Sequence, residues 1–111
     1  MTTYIVQGRY STEAIKGMMA KPEDRTAAVA KLFGAAGGKL ISYYLTFGEY
    51  DFLCVAEAPS EQAALTGLIV AAAGGGVTHL KTTVAMSSGE AKKAFESAGK
   101  AAASYRAPGQ G

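Results

Sequence analysis

His79 is the only histidine in the chain and Cys54 the only cysteine. An imidazole titrates near neutral pH, so His79 is the natural candidate for general acid–base work. In an alternating stretch it shares a face with Val77, Lys81 and Thr83, which gives it a cationic neighbour. The competing role, a hydrogen-bonded histidine on a sheet surface, is the one the pattern favours. Tyr4, Tyr10, Tyr43, Tyr44 and Tyr50 all fall in or beside strand-like segments of a chain that has no tryptophan. Tyrosine joins apolar area to a hydroxyl, which suits a ligand cavity. It suits the core of a sheet-on-sheet dimer equally, and the dimer core is the expectation.

Gln7 and Arg9 end the first strand and could hold a carboxylate. A cross-sheet pairing of Arg9 with Asp51 or Glu57 is the expected alternative. Cys54, between Leu53 and Val55 and with no basic neighbour in sequence, behaves as a small hydrophobe rather than a nucleophile. One histidine, one cysteine and scattered carboxylates lack ligand-pair spacing, so no metal site is expected within one protomer. Gly74-Gly75-Gly76 follows a helical segment instead of opening one, which excludes a phosphate loop. No nucleophile elbow or dinucleotide fingerprint is present.

The elements that must position these groups can be read from periodicity and punctuation. Residues 3–10 form a first strand, with Tyr4, Val6 and Tyr10 on one face and Ile5, Gln7 and Arg9 on the other. Ser11-Thr12-Glu13 opens a short helical turn. A main helix starts at Pro22, with Glu23 and Asp24 at its positive end, and carries a stripe of Val29, Leu32, Phe33 and Ala36 before Gly37-Gly38 stops it. Lys39 to Phe47 and Phe52 to Glu57 pair as a hairpin, Gly48-Glu49-Tyr50-Asp51 being its tip and Asp51 bonding the turn's own amides. Along the first of these strands Tyr43, Leu45 and Phe47 alternate with Leu40 and Tyr44. Ser60 and Glu61 open a second long helix with Leu65, Leu68, Ile69 and Ala72 as its buried stripe. Val77 to Met86 is a fourth strand. Ser87 and Glu90 have capping-box spacing for a last helix whose face is Ala91, Ala94, Phe95 and Ala98.

This order, β-α-β-β-α-β with an added C-terminal helix, predicts an α+β fold: a ferredoxin-like four-stranded antiparallel sheet with its long helices on one face. The strands are apolar on both faces, and two helices cover only one. A second copy packed sheet to sheet, giving a dimeric α+β barrel, is the expected cover.

At 111 residues, 49% hydrophobic and 18% charged, the chain is one globular domain over residues 1–100 with a flexible tail at 101–111. The net charge of +2 is small, and Lys92, Lys93, Lys100 and Arg106 read as a solvated helix face, so no nucleic-acid partner is expected. A lone cysteine fits a reducing compartment. The first residues lack a secretory pattern, and the apolar run from Ala63 to Ala73 falls short of a membrane span. A cytoplasmic protein with no membrane partner is expected.

With the strand order in place, four stretches resemble the GYD domain family of dimeric α+β barrels: Tyr4 to Ser11, Gly48-Glu49-Tyr50-Asp51, the strand through Glu57-Ala58-Pro59, and Thr82 to Ser87. Here Glu49 is inserted in the glycine-tyrosine-aspartate run that names the family. The resemblance implies a fold and a homo-oligomer, but no particular chemistry. A similar hairpin occurs in the effector-binding domains of leucine-responsive bacterial regulators, near a dimer interface that binds amino acids. No helix-turn-helix precedes it in this sequence, so the likeness is to a stand-alone ligand module. Gln7, Arg9, Tyr44, Asp51, His79 and Lys81 are then the expected ligand-binding set, at or near the inter-sheet interface. Analogy with other dimeric barrels offers two further roles: His79 with Tyr44 as the machinery of a cofactor-independent isomerase, cyclase or monooxygenase, and His79 as a haem ligand. No cofactor is the leading expectation.

Overall fold

A computed structural model describes residues 1–110. The elements are β1 (Thr2–Tyr10), α1 (Thr12–Ala20), α2 (Thr26–Ala35), β2 (Lys39–Leu45), β3 (Phe52–Ala58), α3 (Glu61–Ala73), β4 (Val77–Ala85) and α4 (Ser88–Ala102). The four strands form one antiparallel sheet in the order β2-β3-β1-β4. This is the expected α+β, ferredoxin-like plan with an additional C-terminal helix.

Local chemistry sets most element ends. The Ser11 hydroxyl accepts from the Ala14 N–H at 3.1 Å, Ser60 from Ala63 at 3.1 Å, and Ser87 from Glu90 at 3.1 Å, so three helices begin on serine caps. The capping-box expectation at Ser87 and Glu90 is met in its first half, while the Glu90 carboxylate accepts from the Ser87 hydroxyl at 3.2 Å rather than from the Ser87 backbone N–H. The C-terminus of α2 closes in a Schellman turn: Gly38 N–H donates to the Phe33 carbonyl at 2.8 Å and Gly37 N–H to that of Gly34 at 3.0 Å. Gly37 sits there at φ +85°, a conformation that penalises any side chain.

The start of α2 lies later than expected. Pro22 stays outside the helix, which begins at Thr26; just before it the Asp24 carboxylate takes both the N–H (2.9 Å) and the hydroxyl (2.7 Å) of Thr26. Those two bonds hold the Asp24 carboxyl below its ordinary range. Glu23 turns instead to Arg25 at 3.0 Å.

The core lies between the sheet and helices α2 and α3. Tyr4 and Val6 of β1 and Phe52, Cys54, Ala56 and Ala58 of β3 are its buried side chains. Val29, Phe33, Ala63, Ala64 and Leu68 pack onto them from the helices. The α2 stripe is as expected, but the α3 stripe is not. Leu65 and Ile69 are 56% and 58% exposed, Ala72 is exposed, and the helix instead turns Ala63, Ala64, Gly67, Leu68 and Ala71 inward. The helix is apolar all round, so its spacing alone does not select a face. Small residues let it approach the sheet and α2, and a Cβ on Gly67 would stand 3.7 Å from that of Ala36.

Strand facing also departs from simple alternation. The register of β2 on β3 shifts between Leu40 and Ser42, so Leu40 joins Tyr43 on the helix side, and Tyr44 is left on the other. β2 ends at Leu45, short of Phe47, which is fully exposed. α4 buries no residue, and Phe95 is 78% exposed; the helix runs away from the body, giving the molecule extents of 65 × 30 × 22 Å. Its expected inward face of Ala91, Ala94, Phe95 and Ala98 therefore packs on nothing within the described chain apart from partial cover of Ala91. No helix is long and apolar enough to cross a membrane among the described residues.

Candidate functional site

The register aligns one row of side chains across the sheet face opposite the helices. Tyr44 lies beside Leu53, Leu53 beside Gln7, and Gln7 beside Lys81, so the row spans all four strands. The next row is Ser42, Val55, Ile5 and Thr83. Three expected ligand residues, Gln7, Tyr44 and Lys81, therefore share a row around the apolar centre made by Ile5, Leu53 and Val55. Tyr44 is 60% exposed, and no helix covers it.

Arg9, Asp51 and His79 do not join that row. The expected pairing of Arg9 with Asp51 or Glu57 is replaced by a hydrogen bond from Arg9 Nε to the Glu49 carbonyl at 2.8 Å. The Asp51 carboxylate does not bond its own turn. Its Oδ2 accepts from the Tyr10 N–H at 2.9 Å, and its N–H donates to the Gly8 carbonyl at 2.8 Å. The glycine-x-tyrosine-aspartate tip is thus a latch that ties the hairpin to the end of β1. Within the tip, Thr46 N–H reaches the Asp51 carbonyl at 2.9 Å and the Thr46 hydroxyl the Tyr50 carbonyl at 2.6 Å.

His79 sits where the β1–β4 register slips opposite Gly8, at φ +53°, a left-handed conformation rare for a residue with a side chain. That slip breaks the expected common face of His79 with Val77, Lys81 and Thr83. Val77 lies beside Tyr10 on the helix side, and Lys81 beside Gln7 on the other. Among the described residues the exposed imidazole hydrogen-bonds only the Thr78 hydroxyl, at 3.0 Å from Nδ1. His79 and Tyr44 occupy the two edge strands, three strand spacings or roughly 14 Å apart. One chain does not bring them together as an acid–base pair. Among the described residues no three His, Cys, Asp or Glu side chains gather as metal ligands.

Sequence reasoning missed a second arrangement, on the helix side of the sheet. A cavity of about 270 Å³ opens between β1, β3, α2 and α3, with Tyr10, Tyr43 and Arg25 among its walls. The Tyr10 and Tyr43 hydroxyls hydrogen-bond each other. The Tyr10 ring leans on Phe52, centroids 5.2 Å apart. Burial, reinforced by the Tyr43 hydrogen bond, pushes the Tyr10 hydroxyl well above the ordinary phenol range, so it stays protonated. Burial likewise pushes the Cys54 thiol on the cavity wall up to about 11, in keeping with its expected role as an unreactive hydrophobe. The alternation that puts Tyr10 with Tyr4 and Val6 was the available signal. Arg25 had none, because its place depends on where α2 begins.

Comparison with solved structures returns the same fold. An AsnC family transcriptional regulator from Agrobacterium tumefaciens aligns at 20% identity and a TM-score of 0.52, covering 78% of this chain and 50% of the regulator. The chain thus spans half of that regulator's length. FFRP-DM1 aligns at 17% identity and a TM-score of 0.47, covering 78% of this chain and all of that one. A hypothetical protein, PHS023 from Pyrococcus horikoshii, aligns at 17% identity and 0.46, over 78% and 92% of the two chains. No curated protein matches the sequence significantly. The sequence pattern of the GYD domain family matches residues 4–95, from the first core tyrosine into α4. The chain belongs to the GYD domain family.

Proposed function

We propose that this protein is a self-associating GYD module, two copies packing sheet to sheet as a dimeric α+β barrel and holding a small organic ligand against the row of Gln7, Tyr44 and Lys81. The observation that carries the reading is the sheet face left without helices. Ile5, Leu53 and Val55 form an apolar centre there, ringed by polar and charged side chains at Thr3, Lys39, Glu57, Lys81 and Thr83. A dry centre inside a polar rim is the anatomy of a protein interface. Gln7 and Lys81 put an amide and an ammonium beside the Tyr44–Leu53 surface, a combination that orients a polar ligand on an apolar floor. His79 stands apart from that row, so this reading gives it no part in holding the ligand.

Sedimentation equilibrium tests the assembly. The wild-type chain is expected at twice its own mass at micromolar concentration, and Leu53→Glu at the single-chain mass. Tyr44→Lys, at a position already largely exposed, repeats the test should Leu53→Glu precipitate. A wild-type protein of single-chain mass, or charged variants that remain dimeric, would overturn the reading.

A further inference from the structure

We infer that the cavity on the helix side of the sheet is a binding site for a flat molecule of one or two rings that presents a single hydrogen-bond-accepting oxygen to the Tyr10–Tyr43 pair. The inference stands apart from the sheet-face row, because the cavity lies on the opposite face of the sheet.

Size and lining set the bulk of the ligand. A cavity of about 270 Å³ is larger than the ~150 Å³ engineered hole that takes up benzene, so it has room for a two-ring molecule. Its walls include Val6, Val29, Phe33, Phe52, Leu68 and Leu80, which favour an aromatic or alicyclic body. Unlike a sealed packing defect, it reaches the segment between α1 and α2, where Arg25 forms part of its wall. Two further concavities adjoin it there, and both are bordered by Arg25 and Glu23.

The polar groups set the chemistry. Two tyrosine hydroxyls carry two hydrogens, and one of them is spent between Tyr10 and Tyr43. No other partner takes the second among the described residues, which leaves one O–H donor for the cavity. The Arg25 guanidinium borders the same space, near enough to draw the Tyr10 hydroxyl toward ionisation against the larger effect of burial. Glu23 engages one of its terminal nitrogens and leaves others free. A neutral phenol donor beside a cation favours an oxygen that accepts: a ketone, or a carboxylate close to Arg25.

The protein has no tryptophan, so the fluorescence of naphthyl probes reports binding with little background. 2-Acetylnaphthalene and 2-naphthoate are each titrated against the full chain, with naphthalene as the oxygen-free reference. Both oxygenated probes are expected to saturate at least about tenfold more tightly than naphthalene, the worth of one hydrogen bond left unmade. Removing both hydroxyls, in Tyr10→Phe/Tyr43→Phe, should abolish the ketone's preference over naphthalene while naphthalene binding persists, whereas Tyr43→Phe alone leaves the Tyr10 O–H as a donor. Arg25→Gln should weaken naphthoate and spare the ketone. Ala71→Leu, on the α3 wall, should block all three probes, and Leu53→Glu on the far face of the sheet should block none. Absence of saturable binding, equal affinity for naphthalene and the ketone, or a ketone preference that survives Tyr10→Phe/Tyr43→Phe would overturn the inference. Binding lost in Leu53→Glu but kept in Ala71→Leu would place the probe on the sheet face and overturn it too.

Discussion

Tyr4 shows how a residue can be well packed and still incomplete. Its ring is buried in the core, and its hydroxyl is enclosed with no hydrogen-bond partner among the described residues. A buried hydroxyl without a partner forfeits its hydration and gains nothing in return. Tyr4→Phe is therefore expected to leave stability unchanged or raise it by up to about 1 kcal/mol, read from the urea midpoint. A loss of more than that would mean the hydroxyl has a partner in solution. Tyr10 and Tyr43 are the opposite case, since each satisfies the other and the pair keeps one proton to offer. The same side chain thus serves as core filler at Tyr4, as a polar handle at Tyr10 and Tyr43, and as exposed sheet surface at Tyr44.

Among the elements, the hairpin of β2 and β3 depends on a contact made outside itself. Asp51 bonds the end of β1 through both its carboxylate and its backbone N–H, so it fixes where the hairpin sits beside the first strand. Asp51→Ala removes a charge-assisted bond from a partly buried N–H and should cost about 1.5–3 kcal/mol in denaturant unfolding. Asp51→Asn keeps an accepting oxygen and should recover most of that loss. Equal losses in the two variants would assign the effect to charge instead of the hydrogen bond. Close approach matters beside this latch. A Cβ on Gly8 would fall 2.7 Å from Phe52 Cζ, so the Phe52 ring covers β1 only because position 8 carries no side chain.

Across the whole molecule, the body and α4 are nearly separate. β1 to β4 with α2 and α3 enclose the core, while α4 buries none of its residues and extends the long axis to 65 Å. Removing every residue after Ser87 is expected to change the unfolding free energy of the body by less than about 0.5 kcal/mol, the usual range for surface changes. A larger loss that grows as the protein is concentrated would show α4 docking on a second copy. The uncovered sheet face places the same demand on the assembly from the other side of the molecule, since Ile5, Leu53 and Val55 gain cover only from outside the chain.

The sequence alone determined the order of strands and helices, the serine caps at Ser11, Ser60 and Ser87, the glycine stop after α2, and membership of the GYD family. All of these are written in neighbouring residues, through periods of two and 3.6 and through side chains that reach a backbone amide two or three positions away. Tertiary structure decided which side of α3 faces inward, because Leu65, Ile69 and Leu68 are equally apolar and only close packing of Gly67 and Ala71 chooses among them. It also decided the slips that turn Leu40 toward the helices and His79 out to solvent, and the partner that Asp51 holds. The cavity at Tyr10, Tyr43 and Arg25 exists only there as well. Its three polar walls come from different elements, and their meeting is set by how α2 lies on the sheet rather than by any spacing along the chain.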